Sequence, residues 1–190
     1  IRYTNDLLAN PQGIFLIAQT EKETLSAAST PFYPEGKHTC IFNKDEVIYQ
    51  GKGKHFILNQ HFQLEKGLPA ERISIILKNQ EPEPLTGNFL FYFEPVLSQR
   101  AKYKTAPEFS KLFLTGGRDA STSTLIFSRR CPGCKESIWL CAGFDRPMEY
   151  HFTLKREEAA PYPEGFSRLF RPESIKMEGG TTAPDGCCAI

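Results

Sequence analysis

The segment Arg72-Ile73-Ser74-Ile75-Ile76-Leu77-Lys78 indicates the fold class of this chain most clearly. Every odd position of the segment is apolar, whereas Arg72, Ser74 and Lys78 occupy even positions. This period of two is typical of a strand that packs one face on a core and leaves the other face in water. Because antiparallel sheets commonly contain such strands, the segment predicts an antiparallel sheet.

The rest of the chain contains further short apolar stretches, which are bounded by Gly, Pro, Asn or Asp. This spacing predicts many short strands joined by turns. We therefore predict a mainly β fold, either a single-domain antiparallel sandwich or a distorted barrel, with an α+β variant as the alternative. The predicted strands are residues 13–19, 39–43, 46–50, 55–58, 72–78, 88–94, 124–130, 137–142 and 149–155.

Two short helices are predicted from capping boxes. In Thr20-Glu21-Lys22-Glu23, a hydroxyl precedes a carboxylate by three positions, so each side chain can bond the backbone amide of the other residue. The helix would then end near Ala28. Thr105-Ala106-Pro107-Glu108 repeats the pattern, and Gly116 would stop the second helix. Helices this short are unstable alone, so both should pack on the sheet.

Length and charge exclude several classes of protein. The chain has 190 residues, with 23 Lys and Arg against 22 Asp and Glu. The length fits one domain, which we place at residues 1–178, before a tail predicted to be flexible at 179–190. The near-zero net charge excludes proteins that bind nucleic acid through a strong basic excess. No apolar run reaches the ~20 residues that a membrane-spanning helix requires.

The six cysteines favour one cellular compartment. Two of them are adjacent, and the chain is long for a scaffold that depends on disulfides. The sequence also lacks the acceptor motif for N-glycosylation. We therefore expect an intracellular, cytoplasmic protein. Because the chain begins with Ile1 and not with Met, secretion is the alternative.

Cys131-Pro132-Gly133-Cys134 lies between two predicted strands and is the sharpest chemical motif. Two thiolates at this spacing can bind one zinc ion at a hairpin tip. Since the sequence has no second pair at zinc-ligand spacing, Cys141 and His151 are the predicted further ligands, with Cys40 or the tail as substitutes. The alternatives are a redox-active dithiol and a plain tight turn. No cofactor other than zinc is indicated.

The last four residues, Cys187-Cys188-Ala189-Ile190, have the Cys-a-a-X form of a prenylation site if Ile190 is the natural C-terminus. The predicted lipidation site is therefore Cys187, which would tether the protein to a membrane face. One prenyl chain anchors only weakly, at about 0.8 kcal/mol per buried methylene. No polybasic cluster precedes the motif to strengthen the anchor.

Two further stretches have the composition of binding sites. Aromatic residues are concentrated in and just after one predicted strand, and they predict a ligand or interaction surface unless they fill the core: Phe89, Phe91, Tyr92, Phe93 and Tyr103. Gly51-Lys52-Gly53-Lys54 has the composition of a backbone nest that binds an anion, although a glycine-rich hairpin turn explains it equally well.

None of these patterns reaches the specificity of a catalytic motif, such as a Gly-x-Ser-x-Gly elbow or a His-Glu-x-x-His pair. We therefore predict a protein-binding interaction or scaffold module rather than an enzyme, held at a membrane face through Cys187. One alternative is a β-barrel that binds a small molecule, or acts on it, in an aromatic-lined cavity. The other is a zinc-stabilised domain built on Cys131 and Cys134.

Overall fold

The structure is a computed structural model that describes residues 14–28, 37–106, 109–110, 112–130, 133, 135–146 and 150–154, and the backbone of 188–189. Strands predominate in the described part of the chain. They are β1 (Ile14–Thr20), β2 (Thr24–Ser26), β3 (Lys37–Phe42), β4 (Glu46–Lys52), β5 (Phe56–Leu64), β6 (Glu71–Asn79), β7 (Gly87–Phe93), β8 (Leu114–Asp119), β9 (Thr124–Arg129), β10 (Ile138–Ala142) and β11 (Cys188–Ala189). A six-residue helix, α1 (Arg100–Thr105), follows β7.

The described strands form three sheets, with the orders β11-β7-β1-β2, β3-β4-β5-β6 and β10-β9-β8. In the second and third sheets every neighbouring pair is antiparallel. These findings confirm the predicted fold class, a mainly β protein of sandwich type with antiparallel sheets. Each predicted strand except 149–155 overlaps an observed strand.

Contacts divide the chain into two compact units. The first unit contains Phe15–Phe91 with Asp6–Pro11, and the second contains Tyr92–Ile190 with Ile1–Asn5 and Gln12–Ile14. A single domain over residues 1–178 stays a prediction.

The core of the first unit lies between the β1–β2 hairpin and the sheet β3-β4-β5-β6. Six fully buried residues form it, namely Leu16, Ala18, Leu25, Ala27, Phe56 and Leu58. Gly51 of β4 permits the close approach of the two layers, because a Cβ atom there would collide with the carbonyl oxygen of Ser26. This packing of one layer on another makes the unit sandwich-like.

The core of the second unit lies on one face of the sheet β10-β9-β8. The Phe127 ring packs edge-on against Phe93, with ring centroids 5.6 Å apart. Leu114 and Leu125 are fully buried beside it. Gly116 leaves room for Phe127, since a Cβ atom at position 116 would lie 2.8 Å from the ring.

The first predicted helix is wrong, because Thr20 ends β1 and residues 24–26 form β2. One half of the capping box forms nonetheless. The Thr20 hydroxyl accepts hydrogen bonds from the amides of Lys22 and Glu23, at 3.2 and 3.1 Å. These bonds close the turn between two strands. Strand β2 forms after this turn, and not a helix, because the hairpin buries Leu25 against the neighbouring sheet. Tertiary packing of this kind overrides a local capping signal.

The second predicted helix is displaced towards the N-terminus. Helix α1 ends at Thr105, the residue that was expected to cap the start of that helix. One helical turn does follow, since the Ser110 amide donates to the carbonyl oxygen of Ala106 at 2.9 Å. The predicted stop, Gly116-Gly117, lies inside β8, where both residues pair with β9.

Two predictions near the C-terminus concern segments that the structure describes only in part. Residues 150–154 of the predicted strand 149–155 are described, and they form only an isolated bridge at Thr153. Cys188 and Ala189 of the predicted tail pair with Phe93 and Tyr92 as β11. These two residues are therefore paired in the structure, and the rest of 179–190 lies outside the described residues.

Candidate functional site

The structure describes the predicted zinc ligands only in part. Cys131 and Cys134 lie outside the described residues. Cys141 is an exposed free thiol on β10, so it is not a core residue. The described residues contain no group of three or more His, Cys, Asp or Glu side chains placed to hold a metal ion. Zinc binding, with His151 as a further ligand, stays a prediction that depends on Cys131 and Cys134.

The predicted aromatic surface is mostly buried. Tyr92 is fully buried, and Phe93 and Tyr103 are nearly so. Phe91 packs against the core of the first unit. Phe89, by contrast, is 47% exposed. Four of the five residues therefore contribute to packing, which was the alternative explanation from the sequence.

A cleft of about 460 Å³ opens where the β3–β4 and β5–β6 turns lie side by side. None of the five aromatic residues lines it. Its walls carry both signs of charge, and they consist of Asn43, Lys44, Asp45, Glu46, Gln63, Leu64, Glu65 and Lys66. A ligand-binding cavity among the five aromatic residues therefore stays a prediction.

The predicted anion nest is occupied by a carboxylate of the chain itself. Glu23 accepts hydrogen bonds from the backbone amides of Lys54, His55 and Phe56, at 3.0, 2.7 and 3.1 Å. Gly53 makes room for this carboxylate, because a Cβ atom there would lie 2.5 Å from Glu23 Oε1. The arrangement fixes the β4–β5 turn to the β1–β2 turn, and thus serves the structure of the first unit.

A second carboxylate lies beside this nest. Glu81 Oε1 lies 2.6 Å from His55 Nδ1, and Glu81 Oε2 accepts from Lys22 Nζ at 3.4 Å. The hydrogen bond to His55, followed by the one to Lys22, lowers the pKa of Glu81 from its ordinary value of 4.5. The ionised carboxylate is therefore favoured in the folded state.

The lowered pKa of Glu81 predicts a specific loss of stability in acid. The stabilisation is fully present above the ordinary pKa of 4.5, and it is lost as the pH falls through the lower pKa of the folded state. We expect Glu81→Gln to remove this part of the pH dependence when urea unfolding is followed from about pH 6 to about pH 3. Glu83→Gln, at an exposed neighbouring position, is the matched control and should retain it. An unchanged acid limb in Glu81→Gln would contradict the prediction.

A buried acid that the sequence did not single out follows β7. Glu94 is almost completely buried, and Glu94 Oε1 accepts a hydrogen bond of 2.6 Å from the Tyr92 hydroxyl. Residues two positions apart share one side of an extended chain, so the pattern Tyr-x-Glu is the sequence signal for this pair. Because the hydrogen bond partly compensates the cost of burying a carboxyl group, the pair has a structural role.

The core of the first unit covers only one end of the sheet β3-β4-β5-β6. Along one face, the cross-strand row His38-Gly51-Leu58-Leu77 lies towards the end that contributes to the core. The next row, Cys40-Tyr49-Gln60-Ile75, marks the limit of the covered part, since Gln60 is buried and Cys40 is exposed. The third row, Phe42-Val47-Phe62-Ile73, lies further from the core.

Apolar side chains continue along this face past the core. We call six of them the uncovered strip, namely Phe42, Val47, Phe62, Leu64, Ile73 and Ile75. Phe42 is 73% exposed and Leu64 is 78% exposed, whereas Val47, Phe62 and Ile73 are half-buried. A sheet face of this composition normally packs against another layer. The strip is therefore the candidate functional site of the first unit.

The opposite face of the same sheet is more polar. Gln50 Nε2 donates to Asn59 Oδ1 at 2.8 Å, and Gln63 Nε2 donates to Glu46 Oε2 at 3.1 Å. Ile76 is an exposed apolar residue of this face. Ile41 is a second one, but the polar side chains bond one another and make this face less apolar than the strip.

A model of the glycosyl hydrolase 94 supersandwich domain matches residues 1–158. The chain belongs to this family. No curated protein matches the sequence. Membership of the supersandwich family agrees with the layered core of the first unit and confirms the predicted β-sandwich.

Two predictions concern contact between this supersandwich domain and a membrane. None of the described residues belongs to a helix with the length and hydropathy needed to span a bilayer. Cys187, the predicted lipidation site, lies outside the described residues. Tethering through Cys187 stays a prediction.

Proposed function

We propose that this chain is a non-catalytic module of a glycosyl hydrolase, and that the uncovered strip binds the catalytic part of the enzyme. The strip is the observation that supports the proposal. Its residues are aliphatic or aromatic, they are contiguous on one sheet face, and the core reaches only the other end of that face. Large exposed apolar patches are uncommon on monomers and mark interaction sites.

The rim of the strip has the composition expected of a protein interface. Glu71 lies opposite Leu64 in the sheet, so a carboxyl group borders the apolar residues at this end of the strip. Interfaces of this type have an apolar centre, from which charged residues are depleted, and a polar rim. Phe42 and Leu64, the most exposed residues of the strip, would be the anchors.

A non-catalytic role agrees with the contacts of three carboxyl groups in the described part of the chain. Glycoside hydrolysis canonically needs two carboxyl groups that flank the scissile bond. Glu23 bonds backbone amides, Glu81 bonds His55 and Lys22, and Glu94 bonds Tyr92. Each of these carboxyl groups is thus engaged in the structure of its own unit.

Site-directed crosslinking tests the proposal in the host cell. A photoreactive phenylalanine analogue at position 42 should join the strip to a polypeptide that carries glycosyl hydrolase activity, on the same or another chain. The same analogue at position 76 is the control, because Ile76 is also exposed but lies on the opposite face. Equal crosslinking from both positions, or a crosslink only to unrelated proteins, would refute the proposal.

Phe42→Asp is expected to weaken that complex by about tenfold or more, because it places a charge on the apolar contact surface. The free energy of unfolding should change little, since Phe42 is already exposed. Ile76→Asp is the matched control. Titration of the catalytic part with each variant, followed by calorimetry, measures the two affinities. If Phe42→Asp binds as tightly as Ile76→Asp, the strip is not the contact surface.

A further inference from the structure

The chain contains a single tryptophan, and its side chain is exposed. Trp139 lies within β10, and 64% of its surface is accessible to solvent. Tryptophan is highly buried in most proteins, because its ring contributes a large apolar area to packing. Within the part of the chain that the structure describes, the indole takes part in no hydrogen bond, ring contact or cation–π contact. Packing against the described residues of this unit therefore does not explain its position.

Two hydroxyl groups share the face of the indole. Trp139 lies opposite Ser128 of β9, and Ser128 lies opposite Thr115 of β8. Residues paired across antiparallel strands project to the same side of the sheet. The hydroxyl oxygens of Thr115 and Ser128 are 2.8 Å apart. The row Trp139-Ser128-Thr115 thus combines an open aromatic face with two adjacent groups that both donate and accept hydrogen bonds.

The dimensions of the row suit a chain of sugar rings. Neighbouring strands are about 4.8 Å apart, so the row extends about 10 Å across the three strands. That is about the length of two linked pyranose rings. One neighbouring row on this face, Cys141-Ile126-Gly117, contains no aromatic side chain that would stand above the sheet. On the other side of the row, the exposed Arg130 follows Ser128 by two positions. A flat ligand can therefore lie across both the indole and the hydroxyls.

We propose that the row Trp139-Ser128-Thr115 binds a neutral, extended oligosaccharide. One pyranose ring would stack its C–H face on the indole, and hydroxyls of the next ring would exchange hydrogen bonds with Ser128 and Thr115. The row itself carries no charge, which suits an uncharged ligand, and hydroxyls beside the ring favour a polar ligand over an apolar protein surface.

The row lies on β8, β9 and β10, whereas the uncovered strip lies on β3, β4, β5 and β6, so the two proposed sites are independent. The test of the row can therefore fail while the crosslinking test succeeds, and the reverse also holds. Because Trp139 is the sole tryptophan, fluorescence of the complete chain excited at a wavelength that tyrosine does not absorb reports this site alone. Cellohexaose and maltohexaose are suitable probes, since the first is extended and the second is coiled.

Cellohexaose should shift the emission to shorter wavelengths with a saturable dependence on concentration, and maltohexaose should bind more weakly. By calorimetry, Trp139→Ala should weaken cellohexaose binding by about tenfold or more, and Ser128→Ala and Thr115→Ala by about twofold to fivefold each. Trp139→Phe preserves an aromatic ring and should retain part of the affinity, and it keeps the test valid if the alanine variant does not fold. Ile76→Ala, at an exposed residue of another sheet and outside the uncovered strip, is the control.

Two results would overturn the inference. The first is an emission spectrum that millimolar cellohexaose leaves unchanged. The second is cellohexaose binding by Trp139→Ala with the affinity of the parent chain. A change in the Trp139 emission on addition of the catalytic part of the enzyme, with none on addition of cellohexaose, would assign the row to a protein contact and would equally refute the oligosaccharide site.

Discussion

Phe56→Ala is expected to lower the free energy of unfolding by about 3–5 kcal/mol, the range observed when a buried phenylalanine is truncated in a packed core. Phe56 is completely buried. It lies in the cluster where β1 and β2 pack on β5, together with Leu16, Leu25 and Leu58. Truncation would remove most of a ring from between two layers, and strands paired on both sides of β5 limit how far the cavity can collapse.

Urea unfolding followed by far-ultraviolet circular dichroism measures this loss. Phe42→Ala provides the matched control, because it truncates the same residue type in the same sheet at a position that is already 73% exposed. Its effect should stay within about 0.5 kcal/mol. Similar losses in the two variants would mean that the β1–β2 hairpin does not cover this end of the sheet, and the sandwich core would then be wrong.

The alternating pattern at residues 72–78 predicted the sheet correctly but not its exposure. The pattern implies one packed face, and Leu77 does contact the core. Ile75, two positions earlier on the same face, is more exposed, because the β1–β2 layer does not reach it. Alternation determines which side a residue faces, whereas the extent of the opposing layer depends on residues far away in the sequence. The uncovered strip was therefore not predictable from local pattern alone.

The misplaced helices have a related cause. The capping box at Thr20 correctly predicted a hydroxyl bonded to the Glu23 amide, but this bond is equally compatible with a turn. Likewise, Gly116-Gly117 has the composition of a helix stop, yet Gly116 is needed in β8 because the Phe127 ring lies against it. In both cases a partner distant in sequence determined the structure around the local motif.

The row Trp139-Ser128-Thr115 also depends on contacts between residues that are distant in sequence. The sequence predicted a strand at residues 137–142, which includes Trp139, and the structure confirms it as β10. The row itself depends on the register of three strands, which brings Thr115 beside Ser128 across 13 positions of sequence. Since β8 was not predicted, no sequence pattern could place Thr115 next to the indole.

Glu23→Ala is expected to lower the free energy of unfolding by about 2 kcal/mol, because hydrogen bonds to a charged group contribute about 1.5–3 kcal/mol each and the freed amides regain water only in part. Three backbone amides would lose their acceptor, at Lys54, His55 and Phe56. The Phe56 amide belongs to a completely buried residue, so it is the least able to bond water instead. Urea unfolding of the variant measures the loss.

Two matched variants separate this effect from a general change of charge. Glu21→Ala removes a carboxylate from an exposed position of the same turn and should change stability by less than about 0.5 kcal/mol. Glu23→Gln retains an oxygen for the amides of His55 and Phe56, so its loss should be intermediate. If Glu23→Ala is no less stable than Glu21→Ala, the carboxylate does not hold the β4–β5 turn. The Gly51-Lys52-Gly53-Lys54 segment would then be a plain hairpin turn, the other interpretation that its sequence allows.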